Sequence, residues 1–188
     1  MEILKSIQNR RSVRKYSGQP IDREKIGRCL EAGRLAPSAC NAQPWTFIVV
    51  DEPRLKDQVA HTARADTLNM NKFASQAPVI IAIVMEPANI TSTLGSKIKR
   101  KHYPLIDIGI AAEHICLQAA EEGLGSCMIG WLNEKKAKKL LAVPSTKRIP
   151  LLISLGYPAE ETKSARNRKP FQKIVKYNKY QGGQMQEG

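Results

Sequence analysis

Aromatic residues are scarce, 5% of the 188. No surface on which basic and aromatic side chains interleave stands out, so the stacking platform of a single-strand nucleic-acid binder is not visible. The tail Lys173 to Tyr180 is the nearest candidate. Acidic residues are also few, 17 against 30 Lys and Arg, for a formal net charge of +13. That excess points to anionic partners: phosphate cofactors, acidic substrates, nucleic acid or anionic lipid. No apolar run is long. Ala77 to Met85 is the longest and is too short to span a bilayer. The start, Met-Glu-Ile-Leu-Lys, lacks the apolar stretch of a signal peptide. Cys29, Cys40, Cys116 and Cys127 are widely spaced, with no Cys-x-x-Cys and no Cys/His pair at structural zinc spacing. They read as buried or incidental thiols of a reducing compartment. The expectation is a soluble, cytoplasmic protein without a membrane partner. His61, His102 and His114 have no ligand spacing, so no metal is assigned. No Ser/His/Asp or Cys/His set can be assembled. Glu31, Asp107 and Glu113 are acids in otherwise apolar surroundings and do not pair as an acid/base couple.

What the sequence does hold is Asn9 to Ser17, Asn-Arg-Arg-Ser-Val-Arg-Lys-Tyr-Ser. Arg10, Arg11, Ser12 and Arg14 lie together behind a short apolar stretch, Ile3, Leu4 and Ile7. Arginine is a planar, permanently charged fork that fits phosphate or carboxylate bidentately. Ser12 adds a hydroxyl. In an extended chain Arg10, Ser12 and Arg14 share one face, with Arg11 and Val13 turned away. That makes an anion clamp; the plainer alternative is a solvated basic segment.

A length of 188 residues and 42% hydrophobic content suit one domain with a proper core. Glu2 to about Arg10 is a short helix. Asp22 caps a second, whose inner face is Ile26, Cys29, Leu30 and Gly33 and which Pro37 ends. Pro37 to Pro44 is a loop and Trp45 to Val50 an apolar strand. Asp51-Glu52-Pro53 opens a helix with Leu55 and Val59 inward. Residues 65 to 76 are polar and show no clear pattern. Pro78 to Met85 is too apolar for a half-exposed strand and reads as a central one covered on both sides. Residues 87 to 101 form a basic loop. Leu105 to Glu122 is the longest helix, apolar nearly all round, either a core helix or one with a face against a partner subunit; Gly123 stops it. Ser126 to Ile129 is a strand, Asn133 caps a basic helix through Leu140, and Leu151 to Leu155 is the last strand. Residues 1–175 count as the domain and 176–188 as a C-terminal tail.

Ser38, Asn41 and Gln43 lie in a proline-bounded loop beside Trp45. Their paired donors and acceptors suit a heterocycle edge such as a flavin pyrimidine; the loop could equally satisfy its own backbone. Gly123-Leu-Gly-Ser-Cys-Met-Ile-Gly130 is not a dinucleotide fingerprint, because it follows a helix and precedes a strand. It reads as a helix stop, a buried strand and a glycine that something can approach closely. Arg166, Arg168 and Lys169 are either a second phosphate contact or a charged turn.

Taken in order, these stretches resemble the FMN-dependent nitroreductase family. The segments are Arg10-Arg-Ser-Val-Arg-Lys-Tyr16, Ala36-Pro-Ser-Ala-Cys-Asn-Ala-Gln-Pro-Trp45, Ala77-Pro-Val-Ile-Ile81, Asp107-Ile-Gly with Gly123 to Gly130, and Arg168-Lys-Pro170. The resemblance implies an α+β fold, a mixed sheet flanked by helices in an intertwined homodimer, with FMN at the subunit interface. By position, Arg10, Arg11, Ser12 and Arg14 would bind FMN, with Arg10 and Ser12 at the phosphoribityl end and Arg14 toward the pyrimidine. Arg166 and Arg168 would complete the phosphate site. Pro37, Ser38, Ala39, Asn41 and Gln43 would come from the other subunit against the ring. Ile129 and Gly130 would offer backbone N–H groups near flavin N5 and O4, with Cys127 and Met128 behind. Asn71 and Lys72 would add ring or ribityl contacts, in a register that also admits Asn69.

The implied activity is that of an oxidoreductase passing hydride from NADH or NADPH through flavin N5 to a nitroaromatic, quinone or similar small acceptor. The flavin carries the chemistry, so no side chain is named catalytic. One alternative keeps the fold, as a specialised flavin enzyme acting on one defined metabolite. Another leaves it, as a basic nucleic-acid-binding protein suggested by the +13 charge. The absence of a recognisable nucleic-acid motif speaks against the latter.

Overall fold

The structure, a computed structural model, describes residues 3–64, 70–87, 102–160 and 166–180. Asn69 and residues 88–101 of the basic loop lie outside them, as do residues 181–188 of the tail.

One sheet contains β1 (Trp45–Val50), β2 (Val79–Met85), β3 (Gly125–Ile129) and β4 (Arg148–Gly156) in the order β1-β2-β4-β3. Every neighbouring pair is antiparallel. The one parallel pairing among the described residues is the bridge of Ser12 to Ser126 on the outer edge of β3. β2 is central, as its unbroken apolar run requires, and six of its seven residues are buried. Val79, Ile81 and Ile83 point into one core and Ile80, Ala82 and Val84 into the other, the two-residue period of a strand.

The first core is closed by α2 (Arg23–Arg34) and α4 (Tyr103–Glu121), through Ile26, Cys29, Ile108, Ala112, Ile115 and Ala119. The second is closed by α3 (Pro53–Thr62) and α5 (Glu134–Leu140), through Val59, Ala60 and Ala137. The layers are therefore helix, sheet, helix: an α+β sandwich. α1 (Ile3–Asn9) and the single turn α6 (Phe171–Ile174) lie outside the two cores, with no buried residue.

The capping signals work as the residues dictate. Asp22 accepts from Glu24 N–H at 2.9 Å, and Asn133 accepts from Lys136 N–H at 3.0 Å. At α3 the capping acid is Glu52, which accepts from Arg54 and Leu55 N–H. Gly123 follows α4 at φ +73°, and Leu124 N–H closes on Ala119 O at 2.8 Å, a helix stop that needs the left-handed region.

β4 is longer than the expected Leu151–Leu155. Pro150 has no N–H for the ladder. The pairing steps from Ile83–Leu151 to Met85–Arg148, so Ile149 and Pro150 together oppose Val84. This bulge lets the strand run through the proline and bury Ile149 completely. α4 is likewise not covered all round: Leu105 and Ile106 are 47% and 56% exposed, as are Ile3, Leu4 and Ile7 of α1 at 77%, 58% and 43%. Among the described residues no helix is long and apolar enough to cross a membrane.

Candidate functional site

The arginine segment is laid along the outer edge of β3. Arg10 N–H still bonds back to Ser6 O like a helical residue, at 2.9 Å. Ser12 then bridges Ser126, and Val13 N–H donates to Ser126 O at 2.9 Å. Val13 is buried over Gly125, where a Cβ would lie 2.6 Å from Val13 Cγ2. Only glycine lets the two backbones approach this closely. Tyr16 fixes the far end. Its ring is buried, and its hydroxyl lies 2.9 Å from Val13 O and 2.8 Å from Ser154 Oγ. Ser17 N–H donates to Tyr157 O, and Ala159 N–H to Lys15 O.

This frame gathers the arginines. Arg10 Nε lies 3.1 Å from Glu113 Oε1 of α4. Arg166 Nη1 donates to Ile7 O at 3.0 Å, while its Nη2 is buried with no partner among the described residues. Burial lowers the pKa of the Arg166 guanidinium, and the charges of Arg10, Arg11 and Arg168 lower it further, with Glu113 acting the other way. Arg166 therefore lies in the combined field of three other arginines and one carboxylate, a setting that favours an anion. Arg11 lines one groove together with Arg10. Arg14 lies 5.9 Å from the Phe73 ring centroid. With Arg10 it draws down the thiol pKa of Cys127, against the larger upward push of burial.

The Pro37–Gln43 loop is a separate piece. A 3-10 turn, Ala39–Asn41, contains Cys40 at φ 52°, and Asn41 and Gln43 follow at φ 51° and 45°. Ser38 Oγ accepts from Gln43 N–H at 2.9 Å, and Gln43 Nε2 donates to Asn41 O and Oδ1. Pro37, Asn41 and Gln43 are exposed. Ala39 N–H donates to Asp107 Oδ1 at 3.2 Å, which hangs the loop on α4. Arg10 is held at Glu113 of the same helix, about 9 Å further along its axis at 1.5 Å per residue.

The end of α3 ties down two segments, those of Asn71 and Asn133. Asn71, at φ 57°, donates its Nδ2 to Ala63 O at 3.0 Å, and Asn133 N–H donates to Thr62 O at 2.7 Å. Both bonds satisfy carbonyls that the helix end leaves without partners. The Asn71 amide is therefore engaged structurally, while Lys72 beside it is exposed. Cys127 and Ile129 are buried, and Gly130 is exposed with nothing within 4 Å of where a Cβ would sit. A groove of about 860 Å³ takes in Arg10 and Arg11 with Gly123–Ser126 and Tyr157–Glu160, but not Ser12, Arg14 or Gly130. The sequence reading did not give Tyr16, Asp107 and Glu113 their structural roles. The signal for the two acids was their place in an otherwise apolar helix.

An α+β sandwich with an arginine cluster on the edge of its sheet is the class of protein these observations define. Residues 7–157 match the nitroreductase family. The chain belongs to that family. A protein of Archaeoglobus fulgidus, provisionally named an NADH dehydrogenase/NAD(P)H nitroreductase, is 33% identical over 168 residues, covering 85% of this chain and 87% of its own. The structure of an FMN-dependent nitroreductase from Clostridium difficile R20291 superposes with a TM-score of 0.77 at 31% identity, covering 94% of this chain and 99% of that one. The iodotyrosine deiodinase of Drosophila melanogaster is 26% identical over 177 residues, covering 82% of this chain and 61% of its own.

Proposed function

We propose that the protein is an FMN-dependent oxidoreductase that uses NADH or NADPH to reduce a small acceptor of the nitroaromatic or quinone type. The observation that carries this reading is a buried Arg166 Nη2 with no partner among the described residues, in the field of Arg10, Arg11 and Arg168. A phosphate ester fits that donor set, since it supplies acceptor oxygens and two negative charges. The four arginines and Ser12 hold the phosphate end. Arg14, Lys72 and the backbone N–H groups of Ile129 and Gly130 serve the ring, with Cys127 behind. Asn71 supports that wall through Ala63. When bound, FMN supplies the redox chemistry, accepting hydride from the nicotinamide and passing electrons to the acceptor. The chain contributes fixed positive charge and oriented N–H groups where negative charge develops.

The Pro37–Gln43 loop, with Pro37, Ser38, Ala39, Asn41 and Gln43, faces the ring from a second subunit. The exposed apolar residues Ile3, Leu4 and Ile7 of α1 and Leu105 and Ile106 of α4 support a homodimer, because apolar side chains of this size favour burial against a second copy. Residues 1–175 form the domain and 176–188 the tail. The enzyme works in the cytoplasm, without nucleic-acid or membrane partners.

Anaerobic titration of the holo-protein with NADH and then NADPH tests this. The flavin band bleaches with one or both and returns on addition of a quinone or nitroaromatic. A flavin that stays oxidised under excess of both overturns the reading. Kinship with iodotyrosine deiodinases favours a second reading, a flavin enzyme specialised for one metabolite. A panel of acceptors that includes halogenated phenols separates the two by kcat/KM.

A further inference from the structure

Asp107 is a buried carboxylate with only one oxygen in use. It is 4% exposed in the first turns of α4. Oδ1 accepts Ala39 N–H at 3.2 Å, and Oδ2 is buried with no partner among the described residues. A carboxylate is costly in such a place, and an apolar side chain of the same shape would suit the core better. What the acid holds explains its presence. Cys40, Asn41 and Gln43, three residues with a Cβ, all stand in the left-handed region, which their side chains disfavour. Such a loop persists only when its surroundings impose it. The bonds from Ser38 to Gln43 and from Gln43 to Asn41 close the loop on itself. The bond from Ala39 to Asp107 fastens it to the fold.

We propose that Asp107 is a positioning residue. By holding Ala39 N–H it fixes the left-handed form of the Pro37–Gln43 loop and so sets the wall that Ser38, Asn41 and Gln43 present to the flavin ring. The inference rests on the FMN reading for its consequence, but not for its geometry. The unused Oδ2 makes a specific demand. Because no donor among the described residues bonds to it, the NH₂ of an asparagine can take its place while the amide oxygen keeps Ala39. Asp107→Asn therefore keeps the loop. Asp107→Leu keeps the branched shape with somewhat larger tips, accepts no hydrogen bond and releases it.

The test compares the wild type, Asp107→Asn and Asp107→Leu in two measurements. One is amide hydrogen exchange at Ala39 in the FMN-free protein; the other is FMN affinity from quenching of flavin fluorescence. Asp107→Leu is expected to speed exchange at Ala39 and to raise the FMN Kd, each by about tenfold or more, the loss of one charge-assisted hydrogen bond. Its thermal midpoint stays equal to or above the wild type's. Asp107→Asn stays within about threefold of the wild type in both, the scale of a modest change in hydrogen-bond strength. Unchanged Ala39 exchange in Asp107→Leu overturns the proposal, whether or not the wild type binds FMN. So does an Asp107→Asn variant as impaired as the leucine one, because the carboxylate would then act through its charge. Failure of the wild type to bind FMN overturns the cofactor reading and leaves the exchange result to decide the role of Asp107.

Discussion

Tyr16→Phe removes one oxygen and keeps the ring. That oxygen lies 2.9 Å from Val13 O, 2.8 Å from Ser154 Oγ and 3.3 Å from Ser154 O. A tyrosine hydroxyl has one proton. Given to Val13 O, the nearer carbonyl, it leaves the phenol oxygen to accept from Ser154. In the variant, Ser154 Oγ turns to Cys127 O, 3.3 Å away, and remains satisfied. Val13 O loses its donor. A buried carbonyl left unpaired costs about 1–3 kcal/mol. Ser154→Ala leaves the bond from Tyr16 to Val13 intact and costs about 0.5–1.5 kcal/mol, the net worth of one hydrogen bond. The double variant costs less than the sum, since the bond between Tyr16 and Ser154 is lost only once. Urea unfolding of the four proteins measures this. Burial also holds the Tyr16 hydroxyl well above its ordinary pKa of 10.0. The folded chain keeps this proton while the unfolded chain gives it up. Its contribution to stability is therefore full below pH about 10 and falls as pH rises beyond it, on top of the loss from the buried thiols Cys29, Cys116 and Cys127, which begins near pH 9. Tyr16→Phe has a shallower alkaline limb above pH about 10. A variant within about 0.5 kcal/mol of wild type whose alkaline limb is as steep as the wild type's would refute the reasoning, as would a larger loss in Ser154→Ala.

Gly125→Ala places a Cβ 2.6 Å from Val13 Cγ2 and should cost about 1–3 kcal/mol in urea unfolding. Val13→Ala should not rescue it, because Val13 Cβ itself lies 2.7 Å from the new atom. Hydrogen bonds from Arg28, followed by one from Gln118, pull the Glu122 pKa from 4.5 down to about 2. The stability it contributes is full above 4.5 and is lost as pH falls toward 2; Glu122→Gln should flatten that acid limb in thermal-midpoint measurements. Arg166→Ala should weaken FMN binding by about ten- to a hundredfold in fluorescence titration, the worth of one charge-assisted hydrogen bond.

Where local chemistry decides the structure, the sequence was readable. Trp45–Val50 is the expected strand, and the apolar run Val79–Met85 is the doubly covered centre of the sheet. Asp22 and Asn133 cap the helices they precede. The arginine segment stood out by its residue types, and the structure lays it along the edge of β3. What was not legible depends on residues far apart in the chain. The last strand was expected to start at Leu151, and only the pairing with β2 reveals that it runs through Pro150 by a bulge. Val13 against Gly125, and Tyr16 against Ser154, are contacts that no local pattern announces. Glu113 and Asp107 stood out as acids in an apolar helix, but their partners Arg10 and Ala39 lie on other segments.

The central claim is that this arginine-lined edge holds the phosphate of a flavin. The most direct test is the absorption spectrum of the purified protein, with the released chromophore identified by mass and counted against subunits, for the wild type and for Arg166→Ala. The account predicts FMN in equal ratio to wild-type subunits and a clear deficit in the variant. A colourless wild-type protein that takes up no added FMN would contradict it.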